Sequence, residues 1–425
     1  MRAGGRALAG IAVIGGGIAG LACAWRLARA GHEVEILERA GAPGGRMRSV
    51  RRGDFLLDLG TPCFAQSDSA LRVAADALGL ADAIRPFARG RDAWMHDGAL
   101  RPLGRESASA IAGAAGALRL ARARRRSLER RVDASLLQSQ ERARLAAGIA
   151  REAESAALSW LPAPPGAPPE LLRALGALRH GWSGAELVCF EGGSGALASA
   201  LAARVLVRTD CQVRRVETFT GGARVAFDEQ GVARTLDADA VVVAVPGSRV
   251  AALCPKLTPE ERGFFESVRY APALVVFLAF ARVPSAALRS VFVAPEQGLE
   301  LSALVLEHLR PGAAPHGAGL VRALLSPESS LRMHRASDAS IADLAVENLA
   351  YGRFGAPRPC DYAVQRHPDA WPRFDSDAVR RLARFLQRFE RSPRLAFAGD
   401  YLMAPSADAA LASGLRAAAE LEREL

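Results

Sequence analysis

In the stretch IAVIGGGIAGLACAWRLARAGHEVEILER, residues 11–39, the glycines Gly15, Gly17 and Gly20 stand in GxGxxG spacing, and Glu38 follows 18 residues after the last of them. Each residue type has a chemical task at that place. The first glycine permits a tight turn, the second lets the backbone approach a pyrophosphate, and the third lets a helix and a strand pack closely. Ala19 falls in the first turn of that helix, whose free N–H groups and positive dipole end would face the phosphates. A carboxylate at Glu38 accepts hydrogen bonds from ribose hydroxyls and repels a 2'-phosphate. The chemistry is dinucleotide binding. The competing reading, a plain βαβ unit with a tight turn, leaves Glu38 and the glycine spacing without a purpose.

The elements that must position these groups follow from the apolar pattern. Residues 11–14 read as a short buried strand, the pattern to residue 30 as a helix, and HEVEIL as a second strand. Residues 48–60 alternate around an Arg-Gly-Asp turn as a hairpin, 69–80 read as a helix, and 92–103 as a hairpin around Asp97-Gly98. Residues 108–157 are rich in Ala, Arg and Leu, with a helical pattern that LPAPPGAPP at 161–169 breaks. Beyond the turn at 190–195 and a short helix at 196–203, glycine turns separate strands that end in ADAVVVAVP. Further strands are expected at 266–280, 291–306 and 320–325, and helices at 378–389 and 407–425.

The glycine motif continues as Glu38-Arg39-Ala40-Gly41-Ala42-Pro43-Gly44-Gly45-Arg46. Here the sequence resembles the flavin-containing amine oxidase and protoporphyrinogen oxidase superfamily, in which an acid, a basic residue and GGR wrap the ribose, pyrophosphate and ribityl chain of FAD. The resemblance implies that Glu38 holds the adenosine ribose, with Arg39 and Arg46 along the phosphates and ribityl chain beside Gly44 and Gly45. Two further stretches carry it. Gly60-Thr61-Pro62-Cys63-Phe64 matches a loop near the flavin ring, and Arg394-Leu395-Ala396-Phe397-Ala398-Gly399-Asp400 matches the C-terminal strand. By the same likeness the Val213 backbone meets adenine and Ala244 lines the cofactor's edge. Ser406 and Ala407 open a closing helix aimed at the flavin's pyrimidine edge, where a positive dipole end suits the charge that reduction brings.

These implications give an α/β fold. A discontinuous, Rossmann-like FAD-binding domain takes 1–70, 186–260 and 385–425. An α+β substrate domain takes 71–185 and 261–384, with a mixed or antiparallel sheet and a helical insertion at 101–170.

A flavin takes a hydride or its equivalent, so the lining residues decide the substrate. Amine oxidases of the superfamily carry a lysine on the strand after the second FAD stretch; Val275 falls near that position, and Lys256, the one lysine of the chain, lies upstream. An aromatic residue that frames amines is replaced by Ser406. Both departures favour the protoporphyrinogen oxidase and carotenoid desaturase branches. The stretch from Val364 to Phe374 resembles a porphyrinogen-oxidase segment with His367 in place of a tryptophan, whereas Asp92 occupies the register of an arginine that clasps a substrate carboxylate. Phe64, His367 and Trp371 are the pocket candidates. An amine or amino-acid oxidase with an atypical pocket, and a non-catalytic FAD-binding partner subunit, stay open.

Composition bounds the rest. A chain of 425 residues, half of them hydrophobic, supports two or three folded domains. The net charge of +10 comes almost wholly from arginine, a skew that reads as codon bias and not as a nucleic-acid footprint. Cys23, Cys63, Cys189, Cys211, Cys254 and Cys360 show neither disulfide nor metal-ligand spacing, so no metal is expected and the reducing cytoplasm is the default. No run approaches the roughly 20 apolar residues of a membrane helix. The seven arginines of 118–133 read as a solvated helix face, with a peripheral membrane contact as the alternative. The partners expected are a small-molecule substrate and O2 or another electron acceptor; the oligomeric state is left open.

Overall fold

The computed structural model describes residues 8–66, 69–87, 91–96, 99–102, 187–284, 288–293, 299–351, 358–373, 376–388, 390 and 392–425. The helical insertion expected at 101–170, from residue 103 onward, and the arginine run at 118–133 lie outside the described residues.

Five parallel strands form one sheet in the order Leu206–Arg208, Glu33–Leu37, Gly10–Ile14, Ala240–Val243, Leu395–Phe397. Parallel strands need cover on both faces, and the central ones have it. On Gly10–Ile14, Ile11 and Val13 pack toward the helices Ile18–Arg29, Ser69–Ala77, Gly195–Ala202 and Ala407–Glu424. Ala12 and Ile14 pack the other way, onto the antiparallel meander Cys211–Phe219, Gly222–Glu229, Val232–Ala238 and its neighbouring helices. The first helix and the closing helix lie against each other, with Arg26 pairing to Glu422 at 3.2 Å. The two ends of the chain are thereby joined.

The second large sheet has seven strands in the order Asp361–Pro372, Tyr270–Phe280, Gly319–Leu325, Leu301–Leu306, Leu288–Val293, Arg91–His96, Ala99–Pro102. It is mixed: Leu288–Val293 runs parallel to Arg91–His96 and the other pairs are antiparallel. Along Tyr270–Phe280, Ala273, Val275 and Phe277 face one side, while Leu274, Val276 and Leu278 pack with Ile341 and Ala345 of the helix Asp338–Tyr351.

Three readings change. Residues 266–280 are not one strand, because Thr258-Pro259-Glu260-Glu261 starts the helix Pro259–Ser267. The Thr258 hydroxyl accepts from the Glu261 N–H and the Glu261 carboxylate accepts from the Thr258 N–H, a capping box with proline at the first helical position. Residues 291–306 are two antiparallel strands, Leu288–Val293 and Leu301–Leu306. The helices Pro259–Ser267 and Ser376–Gln387, most of whose residues fall in the 261–384 portion assigned to the substrate domain, pack on the parallel sheet. Phe264, Phe265, Phe385 and Phe397 stack there, and Arg388 lies over Phe385 while pairing with Glu261 at 2.9 Å.

A fully buried charge cluster joins the strand Phe55–Asp58 to the segment that follows Leu301–Leu306 of the seven-stranded sheet. Arg310 pairs with Asp58 and with Glu307, each at 2.9 Å, and donates to the Leu56 carbonyl. Asp58 also accepts from the Ser194 N–H. Removing one member would strand a buried charge, so the cluster fixes the relative placement of the strand Phe55–Asp58, the turn before Gly195–Ala202 and the segment that follows Leu301–Leu306 in the seven-stranded sheet.

Candidate cofactor cleft and active site

A cavity of about 640 Å³ opens at the carboxyl ends of the parallel strands, beside Ile14, Leu37 and Ala244, and reaches the seven-stranded sheet at Val275 and Arg322. That is where open parallel sheets bind ligands.

Main chain builds one end of it. Gly15 has φ +103°, its N–H donates to the Leu37 carbonyl at 2.9 Å, and a Cβ there would stand 2.8 Å from the Ala244 oxygen. A Cβ on Gly20 would lie 2.0 Å from the Gly15 oxygen, so the helix could not approach the turn. No side chain caps the first helix at Gly17, and a Cβ there would meet nothing within 4 Å. Its amides are therefore left to the cleft. The Gly44 N–H donates to the Gly16 carbonyl at 2.7 Å, laying the second glycine stretch against the first. The Glu38 carboxylate accepts from the Gly16 N–H at 2.6 Å and the Ala40 N–H at 2.7 Å, which fixes its rotamer at the strand end with lone pairs to spare. Uncapped amides, a bare glycine and an anchored carboxylate are a donor and acceptor set that fits the pyrophosphate and ribose of a dinucleotide.

Arg39 and Arg46 both line the cleft, and Arg39 is exposed. Arg46 is tied instead across the chain, donating to the Asp400 carboxylate at 2.7 Å and to the Ala370 carbonyl at 2.5 Å. Burial works against its charge, but Asp400, with smaller contributions from Tyr270 and Asp369, outweighs it, and the guanidinium's pKa is raised. Val213 lines the cleft beside a bulge in Cys211–Phe219, where Val213 pairs with Phe227, Arg215 with Ala226, and Arg214 is left out of the ladder. Gly45, Gly60, Thr61, Ala19, Ala244, Gly399, Asp400 and Ala407 are also in the lining. Ser406 lines it as a helix cap, its hydroxyl accepting from the Ala409 N–H at 3.1 Å.

Side chains of the seven-stranded sheet build the other end. Pro272 and Pro368 interrupt the ladder between Tyr270–Phe280 and Asp361–Pro372, and the register shifts between Ala271 and Ala273. This irregularity sets His367, Asp369 and Trp371 on the cleft, where Ala273, Val275 and Arg322 join them. His367 is thus inside a strand. Its Nε2–H donates to the Leu59 carbonyl at 2.6 Å, which leaves Nδ1 as an acceptor. Burial pushes its pKa down to about 4; the Leu59 bond opposes this, and Arg46 and Arg322 add to it. The ring is neutral at pH 7. Asp369 is engaged by Arg249 at 2.9 Å.

Gly20, Gly44 and Phe64 do not line the cleft. The two glycines shape the turns beneath it. Phe64 is core, 3 % exposed with its ring 5.1 Å from Phe190, because its short strand pairs with Leu187–Phe190 and turns it inward. Asp92 is held by Arg289 and by the Ser290 hydroxyl at 2.5 Å, away from the lining. Arg322, Arg249 and Asp369 were not singled out from sequence. The available signal for Arg322 was an arginine inside the apolar run GLVRALL.

No disulfide joins the described cysteines, no group of three metal-ligating side chains occurs among the described residues, and no described helix is long and apolar enough to cross a membrane. The chain superposes with a TM-score of 0.72 on a protein described as a protoporphyrinogen oxidase from Exiguobacterium sp. 255-15, at 18% identity, covering 98% of this chain and 99% of that one. It superposes with a TM-score of 0.68 on wild-type putrescine oxidase bound to putrescine, also at 18% identity, covering 98% and 99%. The 4,4'-diapophytoene desaturase (4,4'-diaponeurosporene-forming) of Staphylococcus aureus strain Newman is 50% identical over 50 residues; the match spans 12% of this chain and 10% of the desaturase. The family model for flavin containing amine oxidoreductases matches residues 18–421. With nearly the whole chain inside that match, and with a cleft whose turns suit a dinucleotide, this protein belongs to the flavin-containing amine oxidoreductase family and its cofactor is FAD.

Proposed function

We propose that this FAD-dependent oxidoreductase removes a hydride from carbon in a small metabolite, forming a C–C double bond in the manner of a protoporphyrinogen oxidase or desaturase, or else a C–N double bond. In this reading Glu38 holds the adenosine ribose, the amides of the Gly15–Gly17 turn and Gly45 hold the pyrophosphate, and the N-terminus of the closing helix at Ser406 and Ala407 serves the pyrimidine edge. FAD, when bound, supplies the two-electron acceptor for the hydride, and O2 or another oxidant takes the electrons onward.

The observation that carries the carbon-oxidation reading is the substrate wall. Val275 is buried where amine oxidases of the superfamily are expected to have lysine. The wall offers a buried guanidinium at Arg322, while Asp369 and Asp400 are already occupied by Arg249 and Arg46. A protonated amine would find cations and no free carboxylate, an electrostatic penalty in a site with little water to screen it. Neutral His367, with a pKa of about 4, is too weak a base to take a proton near pH 7; its Nδ1 orients the substrate, and the second hydrogen leaves as a proton to solvent.

The superposition on putrescine oxidase, with a TM-score of 0.68, is the ground for amine oxidation as the second reading. An anaerobic screen of the FAD-loaded protein decides between them. Bleaching of the visible flavin band by a porphyrinogen or a polyene, with none by amines, is the expected result. Bleaching by amines alone, with peroxide formed in air, would establish the second reading instead.

A further inference from the structure

Arg322 sits on the strand Gly319–Leu325, is 7% exposed and lines the cleft. Its Nη2 donates to the Gly60 carbonyl, and its Nε has no partner. The other cleft arginines are matched or solvated: Arg46 by Asp400, Arg249 by Asp369, Arg366 by Asp338, and Arg39 by its exposure. Among the described residues no carboxylate pairs with Arg322. A guanidinium is never neutral in a protein, so this is a buried cation without a counter-ion.

Strand register says where that cation points. Arg322 stands opposite Phe277, and Val275 stands opposite Leu324, so Arg322 and Val275 are diagonal neighbours on one face of the sheet. Val275 and Ala273 on that face line the cleft. Nearby His367 is neutral, and Arg46 is committed to Asp400. The clasp position implied by the family resemblance carries an acid, Asp92, itself held by Arg289. A negative group entering the substrate end therefore meets one buried guanidinium with no acid beside it.

We propose that Arg322 is the substrate anchor of this cleft and binds a carboxylate, so that the substrate is a small organic anion. The planar guanidinium matches a carboxylate in shape as well as charge, and desolvation strengthens the pair. The proposal rests on the reading of the cleft as an FAD site that oxidises a small metabolite.

The test uses the FAD-loaded protein and three probes of like shape: benzoate, neutral benzamide and benzylammonium, titrated against the visible flavin spectrum without turnover. Benzoate should perturb the spectrum saturably and benzylammonium should not, with benzamide weaker than benzoate by about tenfold or more. Arg322→Gln should weaken benzoate by a similar factor while leaving its bound FAD and its response to benzamide unchanged; Arg322→Lys should lose less. If the Gln variant does not fold, chloride competition on the wild type replaces it, since an ionic anchor loses benzoate affinity as chloride rises. No benzoate response, a response equal to that of benzamide, or one unmoved by both chloride and substitution overturns the anchor. A protein that takes up no FAD at all overturns the cleft reading itself and the anchor with it, an outcome visible before any probe is added.

Discussion

The two ends of the cleft are made of different material. At the cofactor end the groups that face inward are main-chain amides and carbonyls around Gly15, Gly17 and Gly45, with one carboxylate, Glu38, fixed by two amides. At the substrate end they are side chains: Val275, Arg322, His367 and Trp371, carried by three strands of the seven-stranded sheet. Main-chain recognition depends on turn geometry, which tolerates almost no change of residue. Side-chain recognition depends on which residue the register delivers to the face, and it can change with the sheet intact. In the proposed reading, one end is built to keep a cofactor and the other is free to vary with the molecule oxidised.

The comparison breaks first at Gly20. Gly20→Ala puts a methyl 2.0 Å from the Gly15 oxygen, so either the turn or the helix must move. The variant should be purified without FAD and lose about 2–3 kcal/mol of stability. Retention of stoichiometric flavin absorbance would show that the cofactor end tolerates a shift of its turn and helix.

The substrate end is sharpened by pH. His367 has a folded pKa of about 4 against about 6.5 in an unfolded chain. Because the folded value is the lower one, the unfolded state takes up the proton first. Stability is full above about pH 6.5 and falls as pH drops from 6.5 toward 4, by about 1–2 kcal/mol at pH 5 from this group. In His367→Gln, which keeps a donor for the Leu59 carbonyl, that portion of the acid loss should vanish with FAD still bound. Urea unfolding at pH 7 and pH 5 checks it, and equal acid losses in the two proteins would count against a neutral, buried imidazole.

The smallest effect lies where the ends meet. Ser406→Ala removes the acceptor for the Ala409 N–H and should cost about 1 kcal/mol, read as a modest fall in melting temperature. The variant should still bind FAD, because the helix end contributes through its own amides. Loss of FAD would mean that the hydroxyl itself is part of the cofactor grip.

Much of the cofactor end was legible in residue order. Glycine spacing, the strand before it, the helix after it and an acid at the end of the second strand are all local, and each has a single physical purpose. The residues that line the substrate end were less readable. His367 stands before a proline, and residue order does not say that it lies inside a strand and on the cleft, where the pairing interrupted by Pro272 and Pro368 puts it. Phe64 looked like a ring-facing candidate until its short strand paired with Leu187–Phe190 and turned it into the core. Arg322 sat unremarked in an apolar run, since nothing in its neighbours says whether an arginine there has a partner.

Sequence alone determined that a GxGxxG turn follows the first strand and that an acid stands just past the end of the second, because those features are spacings of a few residues with fixed backbone consequences. Only the tertiary structure decided that Arg46 reaches Asp400, that Arg322 has no acid beside it and that Val275 faces the cleft. Those facts depend on pairings between strands and loops far apart in the chain, and a buried charge reveals its missing partner only when everything around it has been placed.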